Sequence, residues 1–227
     1  MARISPEVPV AIPDCAVEES VHVFVDGYER PNPMVVKYAK PGKERVFRDL
    51  DEALENASFL RRQREIAVEL LKGMGHSEDV IPEEKPIIYR TGESITSLDT
   101  QKWFQDAQTL SRHEGGIFSL PRESLRTLRN IFAANVIFWR QEGYSLDMVG
   151  STVYPKSLAN KLFRHVLPVF FSENIVIDSE NTPHFIDIGK FDKQAKNSIR
   201  THIRQKLHVV GSVLSAGILD VALKIKR

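Results

Sequence analysis

The first third of the chain follows the alternating pattern of β-strands. Residues 20–25 and 34–39 are rich in valine, and the segment 26–33 between them contains one glycine and two prolines. This pattern predicts an antiparallel pair of strands joined by a turn. Residues 86–90 predict another short strand.

The helical pattern begins at Asp49. Leucine and alanine recur there at close to the 3.6-residue period as far as Lys72, and Gly73 and Gly75 follow. Acidic residues stand early in this segment, as is favourable near a helix N-terminus. The sequence therefore predicts one long helix among the strands of residues 1–90.

The rest of the chain predicts mainly helices. We expect them at Thr100–His113, at Pro121–Gln141 and at Pro155–Val169, with a basic helical segment at the C-terminus. Pro121 suits a first helical turn and Gly143 suits a C-terminal cap. The apolar positions of the second helix cover more than half its circumference, which predicts burial on most sides.

A hairpin interrupts these helices. Residues 173–178 and 184–188 alternate in polarity around the polar turn 179–182, with Asn174 entering the hairpin and Asp187 leaving it. Both side chains carry oxygen ligands suited to a divalent cation on a nucleotide. The alternative is an ordinary hairpin in which Asn174 caps a turn and Asp187 is a strand-end carboxylate.

The composition is that of a globular protein with a substantial core. Of 227 residues, 42% are hydrophobic and 27% charged, with a net charge of +1. The single cysteine, Cys15, excludes an intrachain disulfide and suits a reducing compartment. Three prolines interrupt the first thirteen residues, so we expect no targeting segment. These features predict a cytoplasmic location, in the protein's own cell or in a host cell if it is a secreted effector.

The longest apolar run is Val209–Leu219. Eleven residues are too few to cross a bilayer, so no transmembrane segment is expected. The run favours a buried C-terminal helix over an interfacial membrane helix, which would need a stronger polar face beside the apolar one.

The order of these elements resembles the protein-kinase-like fold. The strand hairpin with Lys37, the acid-bearing helix, the helical second half and the Asn174–Asp187 unit follow one another as in that family, and Asp187-Ile188-Gly189 keeps the first and last members of the Asp-Phe-Gly triplet. The chain is most similar in outline to the small bacterial kinase-like proteins of the PhoP regulatory network family, and more distantly to minimal effector kinases. The resemblance implies an α+β bilobal fold, with a reduced β-rich N-lobe at residues 1–90 and a truncated helical C-lobe at residues 91–227.

The resemblance also implies a site for ATP and magnesium between the lobes. Asn174 and Asp187 would bind the metal ion, and Lys37 would contact the α and β phosphates. Glu65, or in second place Glu69, would hold Lys37. Phosphoryl transfer requires such a set, because its catalysis rests on positioning and on neutralising phosphate charge.

Two departures leave the activity open. Gly27 is the only glycine among the first forty residues, so the glycine-rich lid is absent, and Val169 stands where the family places its catalytic aspartate. Asp147 can serve as the base if residues 148–168 are an insertion; otherwise Asp147 is a loop or cap residue. Glu173 is a third carboxylate that could bind metal or act as a base. The alternative to a phosphotransferase is therefore a pseudokinase or a non-catalytic interaction module.

Such a module would act on an unidentified protein partner through the basic C-terminal segment. That segment is either a solvated helix face or a patch for the phosphate groups of nucleotide, RNA or anionic lipid, or for an acidic protein. Nine lysines or arginines follow residue 187 against only two acids, and an approximate stripe runs along the expected helix. Only one aromatic residue, Phe191, lies among these cations, which argues against nucleic acid as a partner. The stripe comprises Lys190, Lys193, Lys196, Arg200, Arg204 and Lys206.

Overall fold

The computed structural model describes residues 10–11, 21–26, 34–39, 46–91, 93–102, 104, 106–150, 163–186 and 199–226. The fold is of mixed α and β type, as the sequence predicts. The chain forms two compact units, Met1–Leu54 with Glu83–Trp103, and Glu55–Pro82 with Phe104–Arg227.

The first unit contains a five-stranded antiparallel sheet. Its strands are β1 (Val10–Ala11), β2 (Val21–Asp26), β3 (Met34–Ala39), β4 (Glu84–Thr91) and β5 (Ser94–Lys102), in the spatial order β1-β2-β3-β5-β4. The predicted pairing of β2 with β3 is confirmed, in the register Val25 opposite Val35. The predicted lobe boundary between residues 90 and 91 lies inside β4, which forms a hairpin with β5.

The strand β5 contradicts the helix predicted at Thr100–His113. Residues as far as Lys102 belong to this strand, and Leu110–Arg112 form only a single 3-10 turn after the two-residue strand β6 (Gln108–Thr109). The residues of β5 are mainly polar, but their pairing on both sides, with β3 and β4, satisfies the backbone. Tertiary hydrogen bonding therefore overrides a weak local preference.

The long helix α1 (Leu50–Gly73) matches the sequence prediction and has a defined start. The carboxylate of Asp49 accepts the amide hydrogen of Glu52 at 2.8 Å, and the Glu52 carboxylate accepts that of Arg48 at 2.7 Å. Asp49 thus acts as the N-terminal cap. At the other end the chain turns at Gly75, whose φ of 87° is accessible mainly to glycine.

The second unit is built around the helices α2 (Arg122–Glu142) and α4 (Ile199–Ile225), which pack on each other. α2 ends as predicted at Gly143, which has a φ of 75° and donates its amide hydrogen to the carbonyl oxygen of Trp139 at 2.9 Å. The helix predicted at Pro155–Val169 lies partly outside the described residues. Residues 163–166 are helical, and a separate short helix, α3 (Pro168–Phe171), follows.

A small sheet completes the second unit. β7 (Ile175–Ile177) and β8 (Pro183–Phe185) form the predicted antiparallel hairpin, and β6 pairs with the outer side of β7. All residues of both hairpin strands are buried. The main apolar core surrounds them and takes its largest side chains from α2 and from the hairpin: Leu125, Leu128, Ile131, Phe132, Phe138, Ile175 and Phe185.

Candidate functional site

The hairpin is held rigidly at its turn. The carboxylate of Asp178 accepts the amide hydrogens of Glu180 at 3.0 Å and of Thr182 at 2.7 Å. His184 is buried, stacks on Phe104 with ring centroids 4.1 Å apart, and lies 2.9 Å from the other carboxylate oxygen of Asp178. His184 therefore fixes the hairpin and is not available as a ligand.

Asn174 lies at the start of the hairpin and connects three segments. Its side-chain amide group donates to the backbone carbonyl oxygen of Asp147 at 2.8 Å. Its backbone carbonyl oxygen accepts the amide hydrogen of Ile186 at 2.7 Å. A Cβ atom at Gly150 would stand 2.5 Å from the side-chain oxygen of Asn174. Only glycine at position 150 permits this close approach, so the loop after Asp147 is shaped around Asn174.

Asp147 lies in a tight loop that turns back on its own carboxylate. One carboxylate oxygen accepts the amide hydrogens of Val149 and Gly150, each at 3.2 Å. The side chain is completely buried. This hydrogen-bonding pattern is the one that aspartate uses to stabilise turns.

Two residues of α4 face the Asp147 carboxylate. The guanidinium of Arg204 lies 3.6 Å from one oxygen, and the Nδ1 atom of His208 lies 3.8 Å from the other. A buried carboxylate requires such cationic or polar neighbours, because desolvation otherwise favours its neutral form. α4 therefore places a guanidinium and an imidazole beside the buried carboxylate.

A pair of histidines extends this cluster. Nδ1 of His165 and Nε2 of His208 are 2.7 Å apart, and the two rings stack with centroids 4.7 Å apart. Burial, with a smaller contribution from His208, lowers the pKa of His165 to about 4. Burial also lowers the pKa of His208, against the opposing effect of Asp147. One neutral ring donates to the other, and the pair is uncharged at neutral pH.

Asn135 of α2 positions the Asp147 loop from the opposite side. Its side-chain oxygen accepts the amide hydrogen of Leu146 at 2.8 Å, and its amide group donates to the hydroxyl of Ser212 at 2.8 Å. Asn135 is completely buried. An asparagine between the buried apolar residues Ala134 and Phe138 of α2 is the sequence signal that could have identified this position.

The structure brings together two of the predicted site residues, Asp147 and Asn174, which are 27 positions apart in the sequence. Glu173 lies beside them, with its carboxylate accepting from the hydroxyl of Ser111 at 2.6 Å. Val169 is fully buried in α3, where its amide hydrogen is donated to the hydroxyl of Ser215. It therefore has only a packing role.

The remaining predicted residues are not part of this cluster. Asp187 and three lysines of the basic stripe, Lys190, Lys193 and Lys196, lie outside the described residues. Lys37 is in β3, with its backbone opposite Val23 and Asp99, and Glu65 is exposed on α1. Lys37 belongs to the first unit and Glu65 to the second, and their pairing stays a prediction.

Among the described residues, no group of three or more histidine, cysteine or acidic side chains is placed to hold a metal ion. No family model matches the chain, and no curated protein matches it. The candidate site is therefore the cluster formed by Asp147, Glu173 and Asn174 with Arg204 and His208.

Proposed function

We propose that this chain is a kinase-like protein that binds ATP together with magnesium. The supporting observation is the 2.8 Å hydrogen bond from the Asn174 side chain to the backbone of Asp147, directly before the hairpin. In a phosphotransferase the residue that receives the hydroxyl proton must lie beside the residue that binds the metal. This contact is what we expect if residues 148–168 are an insertion between the two.

The donor atoms near Asn174 suit magnesium. Its side-chain oxygen is a hard neutral ligand of the kind this ion prefers. The adjacent residue, Glu173, offers a carboxylate. Asp187 would supply the second expected ligand, and Ile186, the residue before it, is hydrogen-bonded to Asn174. In this proposal Lys37, paired with Glu65, contacts the phosphates.

The complete burial of Asp147 favours a second version of the function, in which nucleotide binds without phosphoryl transfer. A general base must reach the hydroxyl proton that it accepts. Here the carboxylate is directed to two backbone amides and faces Arg204 and His208. This arrangement suits a structural aspartate, and with Val169 at the usual base position it supports a pseudokinase.

Thermal unfolding with and without ATP and magnesium tests nucleotide binding. At a hundredfold excess over Kd, we expect a stabilisation of about 2.7 kcal/mol, seen as a rise of several degrees in Tm. Asp187→Ala and Lys37→Ala should abolish the rise. Lys85→Ala is the control, because Lys85 is exposed and pairs with the exposed Glu83. No rise in Tm at millimolar ATP would refute nucleotide binding.

Phosphate transfer then separates the two versions. If the wild-type protein transfers phosphate from ATP and Asp147→Asn does not, while ATP still raises the Tm of both, Asp147 is the base. If both proteins bind ATP and neither transfers phosphate, the pseudokinase version is supported.

A further inference from the structure

The helix α4 has an amphipathic pattern opposite to that of an ordinary core helix. Its buried face carries small and polar side chains together with only a few apolar ones. Six of its large aliphatic side chains are exposed to solvent. The buried face comprises Gln205, His208, Gly211, Ser212, Ser215, Leu219 and Ala222, and the exposed aliphatic residues are Ile203, Val210, Val213, Leu214, Val221 and Ile225.

Close packing explains why the small residues are inside. A Cβ atom at Gly211 would stand 2.1 Å from the carbonyl oxygen of His165 and 2.8 Å from the ring of Pro168. The hydroxyls of Ser212 and Ser215 are hydrogen-bonded to Asn135 and to the backbone of Val169. Rotating α4 to bury its valines would break these contacts, so the exposed stripe is a fixed feature of the unit.

The exposed stripe is continuous. From Ile203 to Ile225 it extends about 33 Å along the helix axis, and each of its six aliphatic side chains is between 43% and 78% exposed. A single exposed aliphatic residue needs no explanation, but a contiguous row of them on one helix marks a binding surface.

The charges beside the stripe are positive. Lys206 and Lys224 are exposed on the same side of the helix, at opposite ends of the stripe. The only acidic residue of α4 is Asp220, which pairs with Arg129 of α2 at 3.2 Å. Asp220 is half exposed beside Val221, but its charge is balanced by Arg129, so the unbalanced charges along the row are those of Lys206 and Lys224, which are complementary to an anionic surface.

A second copy of the chain is a poorer occupant. Antiparallel association of two stripes would place Lys206 near Lys224 of the other copy, and parallel association would place each lysine near its equivalent. Like charges would meet in both cases, and the half-exposed carboxylate of Asp220 already pairs with Arg129. An acidic lipid surface has no such conflict.

The composition of α4 agrees with a lipid environment. By length and composition alone, the segment His202–Ile225 is apolar enough to cross a membrane, with a mean hydropathy of 1.5 and with 33% of its 18-residue apolar window buried inside the protein. A spanning orientation would expose the buried polar face to lipid, including His208 and Gln205. The geometry therefore suits a helix that lies in the plane of the membrane surface.

We propose that α4 docks the second unit on an anionic membrane surface, with its aliphatic stripe among the lipid headgroups and acyl chains and its lysines at the headgroup phosphates. This inference is independent of nucleotide binding. The sequence predicts burial of the apolar run Val209–Leu219, but Val210, Val213 and Leu214 within it are exposed.

Vesicle flotation of the full chain tests the proposal. We expect binding to vesicles made of phosphatidylserine and phosphatidylcholine in equal parts, and much weaker binding to phosphatidylcholine alone. The double variant Val210→Gln with Leu214→Gln should lose binding by about tenfold or more. Lys206→Gln with Lys224→Gln should weaken binding to the acidic vesicles by about fivefold per lysine.

The matched control is Leu50→Gln with Leu54→Gln. These leucines are 52% and 49% exposed at the same spacing on α1, so the variant removes equal apolar surface elsewhere. It should bind vesicles as the wild type does, and circular dichroism should show that all variants are folded. Absence of binding to acidic vesicles would overturn the proposal. An equal loss of vesicle binding in the Val210 and Leu214 variant and in the Leu50 and Leu54 variant would also overturn it. A dimer in solution that the Val210 and Leu214 variant dissociates would overturn it in favour of self-association.

Discussion

The two long helices of the second unit differ in which side of each faces the protein. α2 buries its large apolar side chains, among them Leu128 and Phe132, which are completely inaccessible. α4 packs against α2 and buries glycine, serine and histidine, while Val213 and Leu214 remain exposed. Both segments are apolar in sequence, and the sequence favours burial for both.

The comparison teaches that hydrophobicity alone does not select the buried face of a helix. α2 lies against the hairpin and the apolar core, so large side chains fill its surroundings. α4 lies against the backbone of residues 165–168 at a distance that only glycine allows. A helix whose contact is so close must direct its larger side chains outward.

The largest expected effect is on the α2 side of this comparison. Leu128→Ala should lower the free energy of unfolding by about 2–5 kcal/mol, because it leaves a cavity in a fully packed core. Urea denaturation measures the change. A loss below about 1 kcal/mol would mean that α2 is not the packed core of the unit.

Gly211→Ala should have the next largest effect. Its methyl group would meet a backbone carbonyl, which cannot move as a flexible side chain would, and overpacking of this kind costs about 1–3 kcal/mol. Gly217→Ala is the matched control in the same helix. No atom lies near its added Cβ, so the substitution should stabilise the protein by up to about 1 kcal/mol. Equal effects of the two substitutions would contradict the close packing of α4.

The contribution of the α4 side to stability should depend on pH, because His165 and His208 lie at this helix. The buried face of α2 contains no titratable residue. The pKa of His165 is about 4 in the folded protein and 6.5 when free. Between these values the unfolded state binds a proton that the folded state does not, so stability falls as pH decreases from 6.5 to 4. We expect His165 to contribute about 1–2 kcal/mol of this fall, a value reduced for its partial exposure.

Chemical denaturation at several pH values measures this contribution. His165→Gln retains a hydrogen-bonding partner for His208 and should reduce the slope of stability against pH, leaving the share due to His208. His202→Gln, at an exposed position of α4, is the control and should leave the slope unchanged. An unchanged slope in His165→Gln would show that the histidine pair does not remain neutral.

The smallest expected effect is at the stripe. Leu214→Gln should change the free energy of unfolding by no more than about 0.5 kcal/mol, because the side chain is 43% exposed and substitutions at the surface usually have effects of this size. The same type of residue at position 128 is completely buried. A loss of more than 1 kcal/mol in Leu214→Gln would indicate that the stripe is covered in the isolated protein.

Some elements could be predicted because their signals are local. Valine alternation predicted β2 and β3, and apolar periodicity with caps predicted α1 and α2. The hairpin β7–β8 followed from two short apolar runs around a polar turn. The strand β5 was missed because its residues are mainly polar and its stability comes from pairing with β3 and β4, which are distant in sequence.

The candidate site shows the same division. Oxygen-bearing side chains at the ends of the hairpin could be selected from their positions, and Asp147 from its place after α2. Sequence could not show that Asn174 reaches the backbone of Asp147, because the two residues are 27 positions apart. It also could not show that Arg204, one of the cations of the basic stripe, and His208 face a buried carboxylate.

The sequence by itself determined the mixed α and β class, the positions of the long helices and the hairpin, because backbone preference and apolar period act over a few residues. The tertiary structure alone decided which face of α4 is buried and which groups surround Asp147. Both depend on how closely segments far apart in the chain approach each other. Such distances are set by the packing of the whole unit, and no local pattern encodes them.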